Sequence, residues 1–249
     1  TGSRPIKPNV EGFDGENVFT LWNIPDTDKI YNYVKERDSE FYELIMGINS
    51  LWNIDNEVDY IIKNKEYLLK EKPATEYLNK LCNLMKEKLS YFEDLIMIFE
   101  KHVYSSFYRK QKKYCKMKEE DIKGIEDISI TVIKDAIYLS IRELYNKTTN
   151  EKLKVACFWF LREYAYSSMF RFNSKGDFNV PYGGKSYNNK MISVKVQHAF
   201  SMEIQNKMRN TQLSNYDFKK FFNRYVPGED DFVFLDPPYD SEFSTYDKN

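Results

Sequence analysis

The chain has 249 residues and a formal net charge of -1, so it can bury one large core or two smaller ones, and any nucleic-acid surface must be a local patch. Glycine and proline are scarce, 9 and 8 residues against 20 Tyr and 18 Phe, which argues for long helices and against a turn-rich all-β fold. No apolar run approaches membrane-spanning length and the first residues lack the apolar centre of a secretory signal, so a soluble, cytoplasmic protein is expected, with no membrane partner.

Residues 1–9 are polar, hold two prolines and read as a lead segment. Val10 to Phe19 follows, with Gly12 and Gly15 around Phe13. A loop of this kind approaches a cofactor closely in some folds, but Asp14 and Glu16 would repel phosphate, and an ordinary surface turn is the plainer reading. From Asp28 to about Lys70 apolar residues recur at three- and four-residue steps (Ile30, Val34, Phe41, Leu44, Ile45, Ile48), which predicts helix. Pro73 breaks the pattern, and Ala74 to Ser106 resumes it through Tyr77, Leu78, Leu81, Met85 and Leu89. These stripes read as core.

Between Lys101 and Lys118 the charge changes. Lys101, Arg109, Lys110, Lys112, Lys113, Lys116 and Lys118 are interleaved with Tyr104, Phe107, Tyr108 and Tyr114, with no acid among them. This is the best electrostatic candidate for contact with phosphates; the alternative is a solvated basic helix face. Ile128 to Tyr145 and Leu153 to Phe170 read as two more helices, the second rich in rings that must largely be buried. Asn146-Lys147-Thr148 matches a glycosylation triplet that an intracellular chain would not use. Cys82, Cys115 and Cys157 leave one thiol unpaired in any disulfide scheme and lie far from His102 and His198, so reduced thiols and no metal site are expected.

Helical periodicity ends at Met169, where Arg171-Phe172-Asn173-Ser174-Lys175-Gly176 marks a tight, hairpin-like turn, followed by Asn179, Pro181, Tyr182 and the pair Gly183-Gly184 before Lys185. Cations for phosphate or guanine, amides for base edges and rings for stacking make this a kit for DNA. A glycine-rich surface loop is the alternative.

The last informative stretch is Asp231-Phe232-Val233-Phe234-Leu235-Asp236-Pro237-Pro238-Tyr239. Its apolar run reads as a buried strand, and it delivers a carboxylate, two prolines and a tyrosine to the carboxyl end, where open α/β sheets bind ligands. Neither proline donates a backbone hydrogen, so the corner is rich in acceptors. Such a corner suits a nucleobase amino group, whose two N–H bonds need two acceptors before its lone pair is freed to attack. The alternative is that Asp236 caps a turn and Tyr239 packs beside it.

With both stretches in view, the chain resembles the Dam-type, D12 class DNA adenine N6-methyltransferases. That family carries an Asp-Pro-Pro-Tyr turn, here Asp236 to Tyr239, and an Arg-aromatic-Asn turn followed by Gly-x-Phe-Asn-Val-Pro-aromatic-Gly, here Arg171 to Asn173 and Gly176 to Gly183. The resemblance implies that Asp236 and Pro237 hold the amino group of a flipped adenine, that Tyr239 stacks on it, and that the Phe172-Asn173 turn enters double-stranded DNA near the target. Asp217-Phe218 looks like the pair that flanks the adenine of S-adenosylmethionine, and Phe13 and Gly15 stand where the family's Phe-x-Gly-x-Gly cofactor loop is expected.

Two features depart from the family pattern: the second glycine of that loop is absent, and the chain ends at Asn249, soon after the catalytic turn. A fragment, a split subunit that needs a complementary chain, or a divergent relative is therefore expected, with weak cofactor binding by the chain alone. The implied fold is α/β, a Rossmann-like methyltransferase core from residues 1–27 and 207–249, incomplete here, with a large helical insertion at 28–206 that includes the DNA-reading region. The implied function is sequence-specific DNA adenine methylation, within a restriction-modification system in some members. The rival reading is a non-catalytic DNA-binding relative or subunit that has lost its cofactor loop.

Overall fold

The computed structural model describes residues 18–21, 26–64, 66, 75–92, 95–114, 124–169, 171–214 and 216–235. Helices dominate. In chain order the elements are β1 (Val18–Leu21), α1 (Thr27–Lys35), α2 (Ser39–Ser50), α3 (Asp55–Lys63), α4 (Thr75–Leu89), α5 (Leu95–Tyr114), α6 (Ile125–Lys147), α7 (Glu151–Tyr164), α8 (Ile192–Ala199), α9 (Met202–Arg209), β2 (Thr211–Ser214) and α10 (Phe218–Arg224).

Between Thr27 and Lys63 the periodic run divides into three helices. After α1 the backbone turns at Arg37, with φ of 55°, and Asp38 starts α2 by accepting the Phe41 N–H on its side chain. Such breaks leave apolar spacing intact across the junction, so periodicity alone passes over them. α7 also stops earlier than expected, at Tyr164. Its Tyr164 carbonyl accepts the Gly183 N–H and Ala165 forms an antiparallel bridge to Tyr182, so the returning chain takes over where the helix ends. Tyr166, beyond that point, is exposed.

One hydrophobic cluster unites Phe41, Ile45 and Ile48 of α2, Leu78 and Met85 of α4, Phe99 and Phe107 of α5, Ile133 and Ile137 of α6, and Val155, Phe158 and Leu161 of α7. α6 is its axis, packed against α3, α5 and α7, with Val132, Ile133, Ala136, Ile137, Tyr138 and Ile141 all buried. β1 and β2 pair in parallel with Val18 opposite Thr211, although the whole helical body lies between them in sequence. α1 is tied to the start of β2, since the Tyr31 hydroxyl donates to the Thr211 carbonyl at 2.7 Å and Lys35 Nζ does so at 3.1 Å. α1 is also tied to α9, where Gln205 Nε2 donates to the Val34 carbonyl.

The expectation of a buried strand at 231–235 is not met. Phe232, Val233, Phe234 and Leu235 are exposed, and β1 and β2 pair with each other rather than with them. A strand is stabilised by its ladder and by a covered face, and here no strand is assigned to 231–235 and its four apolar side chains are exposed. Cys82 and Cys157 are buried free thiols, and burial pushes Cys82 up to about 12. Among the described residues no helix is long and apolar enough to cross a membrane.

The returning chain needs two glycines for different reasons. At Gly183 the Tyr187 ring lies where a Cβ would stand, and Lys190 Nζ sits 3.8 Å from the centroid of the same ring. Gly184 has φ of 78° and ψ of -156°, a region that side chains exclude. Three phenols are buried nearby with their hydroxyls committed: Tyr138 donates to the Val180 carbonyl, Tyr164 to the Lys190 carbonyl and Tyr182 to Asn188 Oδ1. Lys134 is also buried, its Nζ donating to the Asn188 carbonyl at 2.6 Å and lying 5.0 Å from the centre of the Trp52 ring.

Replacing Gly183 by Ala would force the Tyr187 ring off its seat over Lys190, at an expected cost of about 1 to 3 kcal/mol. A melting curve identical to that of the unaltered chain would mean that the ring swings aside freely. A second expectation concerns alkaline pH. Burial lowers Lys134 to about 8, raises Tyr164 to about 12, and raises Tyr138 and Tyr182 further. From about pH 8 the unfolded chain keeps the lysine proton that the folded chain has released, which raises stability, but from about pH 9 the buried thiols of Cys82 and Cys157 keep protons that the unfolded chain loses, which lowers it. Above about pH 10 the buried phenols act in the same direction as the thiols. The thermal midpoint should therefore fall from about pH 9 onward and most steeply above about pH 10; a midpoint that holds level across that range would show that the buried thiols and phenols titrate as they do in the unfolded chain.

Candidate nucleic-acid interface

The turn after α7 is built by one carboxamide. Asn173 Oδ1 accepts the N–H groups of Lys175 and Asp177, both at 2.9 Å. Its own N–H donates to the Asp177 carbonyl, and Gly176, with φ of 83°, donates back to the Asn173 carbonyl. Asn at the start of a turn with Gly in the left-handed position is the residue logic that closes it. The flanks pair across an antiparallel bridge between Phe172 and Phe178, whose rings meet edge to face at 5.7 Å. Arg171 Nε donates to Asn179 Oδ1, and the Asn179 N–H donates to the Arg171 carbonyl. Phe178 is the buried member, leaving Arg171, Asn173, Ser174 and Lys175 exposed at the tip.

One face of α6 carries the chain that returns from this hairpin. Asn146 uses both ends of its carboxamide on Phe178, with Oδ1 accepting the N–H at 2.9 Å and Nδ2 donating to the carbonyl at 3.1 Å. Four residues earlier Arg142 donates to the Val180 carbonyl at 3.0 Å, and Tyr138, four earlier again, donates to the same oxygen at 3.0 Å. Lys134 and Thr131 then hold Asn188, and Asp127 pairs with Lys185 at 2.5 Å. The spacing works because four helical residues rise about 6 Å, close to the roughly 6.7 Å spanned by two residues of extended chain.

The basic stretch on α5 is less basic than its sequence. Arg109 pairs with Asp135 at 2.6 Å, and Lys101 with Glu143 at 2.7 Å; Glu143 also holds Lys147 at 2.7 Å and His102 at 2.8 Å. Desolvation raises the Glu143 carboxyl, but the hydrogen bonds from Lys101, Lys147 and His102 outweigh it and hold Glu143 down at about 2. For His102 burial prevails over the Glu143 carboxylate and lowers the imidazole. Asp135 and Glu143 stand on α6, and both pairs join that helix to α5. Lys110 is half-buried, Lys112 is exposed, and Lys113 lies in the last turn of α5.

Between α5, α6 and the hairpin opens a cleft of about 320 Å³, lined among others by His102, Arg142, Asn146, Lys147, Asn173 and Asp177. Tyr182, expected at the duplex, is instead buried, its ring tilted against Tyr138 and edge-on to Trp52. A ring between a proline and a pair of glycines reads as exposed in sequence, but the flanking backbone here turns it inward. Asp217 caps α10 by accepting the Lys219 N–H at 3.0 Å, and the Phe218 ring beside it is exposed. Phe13, Gly15, Asp236, Pro237, Pro238 and Tyr239 lie outside the described residues. Tyr138, Arg142 and Asn146 were not singled out as functional from sequence, because a helical residue that serves a distant loop has no local signature. Among the described residues no group of three or more His, Cys, Asp or Glu converges to hold a metal ion.

The arrangement presents exposed cations and amides at the tip of a hairpin whose base is fixed, beside a cleft of mixed charge, a geometry suited to groove contacts flanked by phosphate contacts. Comparison with known proteins gives the family. The chain is 34% identical over 119 residues to the Type II methyltransferase M.MjaIII of Methanocaldococcus jannaschii, covering 45% of this chain and 39% of that protein. It is 38% identical over 90 residues to the Type II methyltransferase M.CviBI of Paramecium bursaria Chlorella virus NC1A, covering 36% and 32%. It is 31% identical over 115 residues to the Retron Ec67 DNA adenine methylase of Escherichia coli, covering 45% and 38%. The chain thus spans under two fifths of the length of each of these relatives. The family model described as D12 class N6 adenine-specific DNA methyltransferase matches residues 76–249, well over half of the chain and inclusive of both the hairpin and the Asp-Pro-Pro-Tyr turn, and the chain belongs to that family.

Proposed function

We propose that the protein transfers a methyl group from S-adenosylmethionine to the N6 nitrogen of adenine in double-stranded DNA, at a specific sequence. The observation that carries this is the family match over residues 76–249, which spans Arg171-Phe172-Asn173 and Asp236-Pro237-Pro238-Tyr239 together. Two of the relatives are named Type II methyltransferases, which supports a place in a restriction-modification system.

In this reading the parallel pair β1–β2 belongs to a Rossmann-like core formed by residues 1–27 and 207–249, and residues 28–206 are the inserted helical body that carries the hairpin. The hairpin tip contacts the duplex through Arg171, Asn173 and Lys175, and Lys110, Lys112 and Lys113 of α5 add phosphate contacts. Asp236 and the Pro237 carbonyl accept the two N–H bonds of the flipped adenine amino group. The nitrogen then pyramidalises, and its lone pair leaves conjugation with the ring. Tyr239 stacks on the base and excludes water from it.

The residues near α10 fit the cofactor in part. The exposed Phe218 ring offers a stacking face, and the Asp217 carboxylate, with one oxygen on the helix N–H, keeps a second oxygen as an acceptor for a purine amine. When bound, S-adenosylmethionine supplies an electrophilic methyl on its sulfonium. The chain's own task is to hold the amino nitrogen, dry and unconjugated, in line with it.

Two outcomes are expected. Duplex affinity should fall steeply with salt, and removing Arg171 and Lys175 together should flatten the log–log slope by about two, one per phosphate contact; a slope that does not move would take the hairpin out of the interface. With labelled S-adenosylmethionine, Asp236→Ala should lower methyl transfer about a hundredfold to a thousandfold while duplex affinity persists. Transfer at the unaltered rate would remove Asp236 from the chemistry, whereas selective duplex binding with no transfer even before substitution would favour a non-catalytic DNA-binding role.

A further inference from the structure

The hairpin is held from one side by its own partner strand and from the other by a helix. Residues 178–180 are extended, so their main-chain groups alternate between two directions. The Asn179 N–H faces the partner flank and donates to the Arg171 carbonyl. The Phe178 N–H and carbonyl and the Val180 carbonyl face the other way, where a further strand would lie in a sheet. There α6 stands, and its side chains make the ladder contacts: Asn146 reproduces both the donor and the acceptor of a strand residue opposite Phe178, and Arg142 and Tyr138 serve Val180.

The three are not equivalent. Arg142 and Tyr138 donate to one shared oxygen, so loss of either leaves the other. Asn146 makes both contacts from α6 to the main chain of Phe178, whose side chain is 1% exposed among Tyr145, Phe158 and Phe172. Without that carboxamide, a main-chain donor and acceptor at the base of the hairpin lose their partners on α6. Phe178 is also directly opposite Phe172 in the bridge, next to Asn173 at the tip. A slip at Phe178 therefore re-aims the tip.

We propose that Asn146 is a positioning residue for target recognition: through Phe178 it fixes where the hairpin 171–179 projects, and so which base edges its tip reaches. This rests on the reading of the hairpin as the DNA-contacting element. A positioning residue of this kind touches no DNA. Its loss should blur discrimination between sequences while leaving phosphate-driven affinity in place, because phosphate contacts tolerate displacement and base contacts do not.

The test uses the full chain, unaltered and with Asn146→Ala and Asn146→Asp, against duplexes enriched by the unaltered chain from a randomised pool and against shuffled controls. Amide hydrogen exchange is followed in parallel. In Asn146→Ala the Phe178 amide and its neighbours should exchange about five- to tenfold faster, as for one lost hydrogen bond. The thermal midpoint should fall by no more than about 2 to 4 °C. The ratio of affinities for enriched over shuffled duplex should drop about tenfold or more, with affinity for shuffled duplex and its salt slope unchanged. Asn146→Asp keeps the acceptor for the Phe178 N–H and loses the donor to its carbonyl, so it should retain protection of that amide and recover part of the discrimination. Unchanged exchange in Asn146→Ala would show that Asn146 does not hold the strand. Faster exchange with full discrimination would show that the hold is not used for reading, and equal losses on enriched and shuffled duplexes would reduce Asn146 to a general structural role. Each of these three results overturns the proposal. If the unaltered chain enriches no duplex, the DNA-reading function itself fails, and the recognition role of Asn146 with it; the exchange measurement then still decides whether Asn146 holds Phe178.

Discussion

Extended chain outside a sheet has a standing problem: its main-chain donors and acceptors must be satisfied or left in water. Residues 178–190 solve it on α6. Asp127, Thr131, Lys134, Tyr138, Arg142 and Asn146 recur at steps of four, three, four, four and four, and each meets the returning chain with a charged or polar group. The opposite faces of the same helix are apolar and fill the core. α6 is thus both the axis of the hydrophobic body and the rail on which the hairpin is mounted, and a contact made in the core is transmitted to the hairpin through a single rigid element.

Burying that polar stripe is costly unless every member finds a partner. Lys134 is the extreme case, a lysine desolvated under the Trp52 ring and held by the Asn188 carbonyl. Asn188 receives from Tyr182 and Lys134 and donates to Thr131, so one carboxamide and its carbonyl close a network of four residues. Networks of this kind are intolerant of rearrangement, and the hairpin base is correspondingly well defined.

Much of the helical body was legible in the sequence, because apolar residues at three- and four-residue steps report a buried face whatever the helix packs on. The junctions at Arg37 and near Leu51 were not, since a cap changes the backbone without changing that spacing. The hairpin was legible from Asn173 and Gly176, which carry local turn chemistry. The charge state of its surroundings was not. Lys101 and Arg109 read as part of an acid-free patch, yet their partners Glu143 and Asp135 stand 42 and 26 residues away and meet them only once α5 lies along α6. Tyr182 failed for the converse reason: composition placed it in a binding loop, and tertiary packing placed its ring in the core.

The pairing of Val18 with Thr211 bears on the order of assembly. A contact between residues so far apart carries a large closure entropy if made by a disordered chain, but a small one once the intervening helices have condensed and brought their ends together. The helical body is therefore expected to form first and the parallel pair last. During synthesis from the amino terminus, β1 emerges before β2 and cannot pair with it until nearly two hundred residues later. A segment such as Val18-Phe19-Thr20-Leu21 can meet wrong partners throughout that wait, so a shorter interval between the two strands is expected to favour the native pairing.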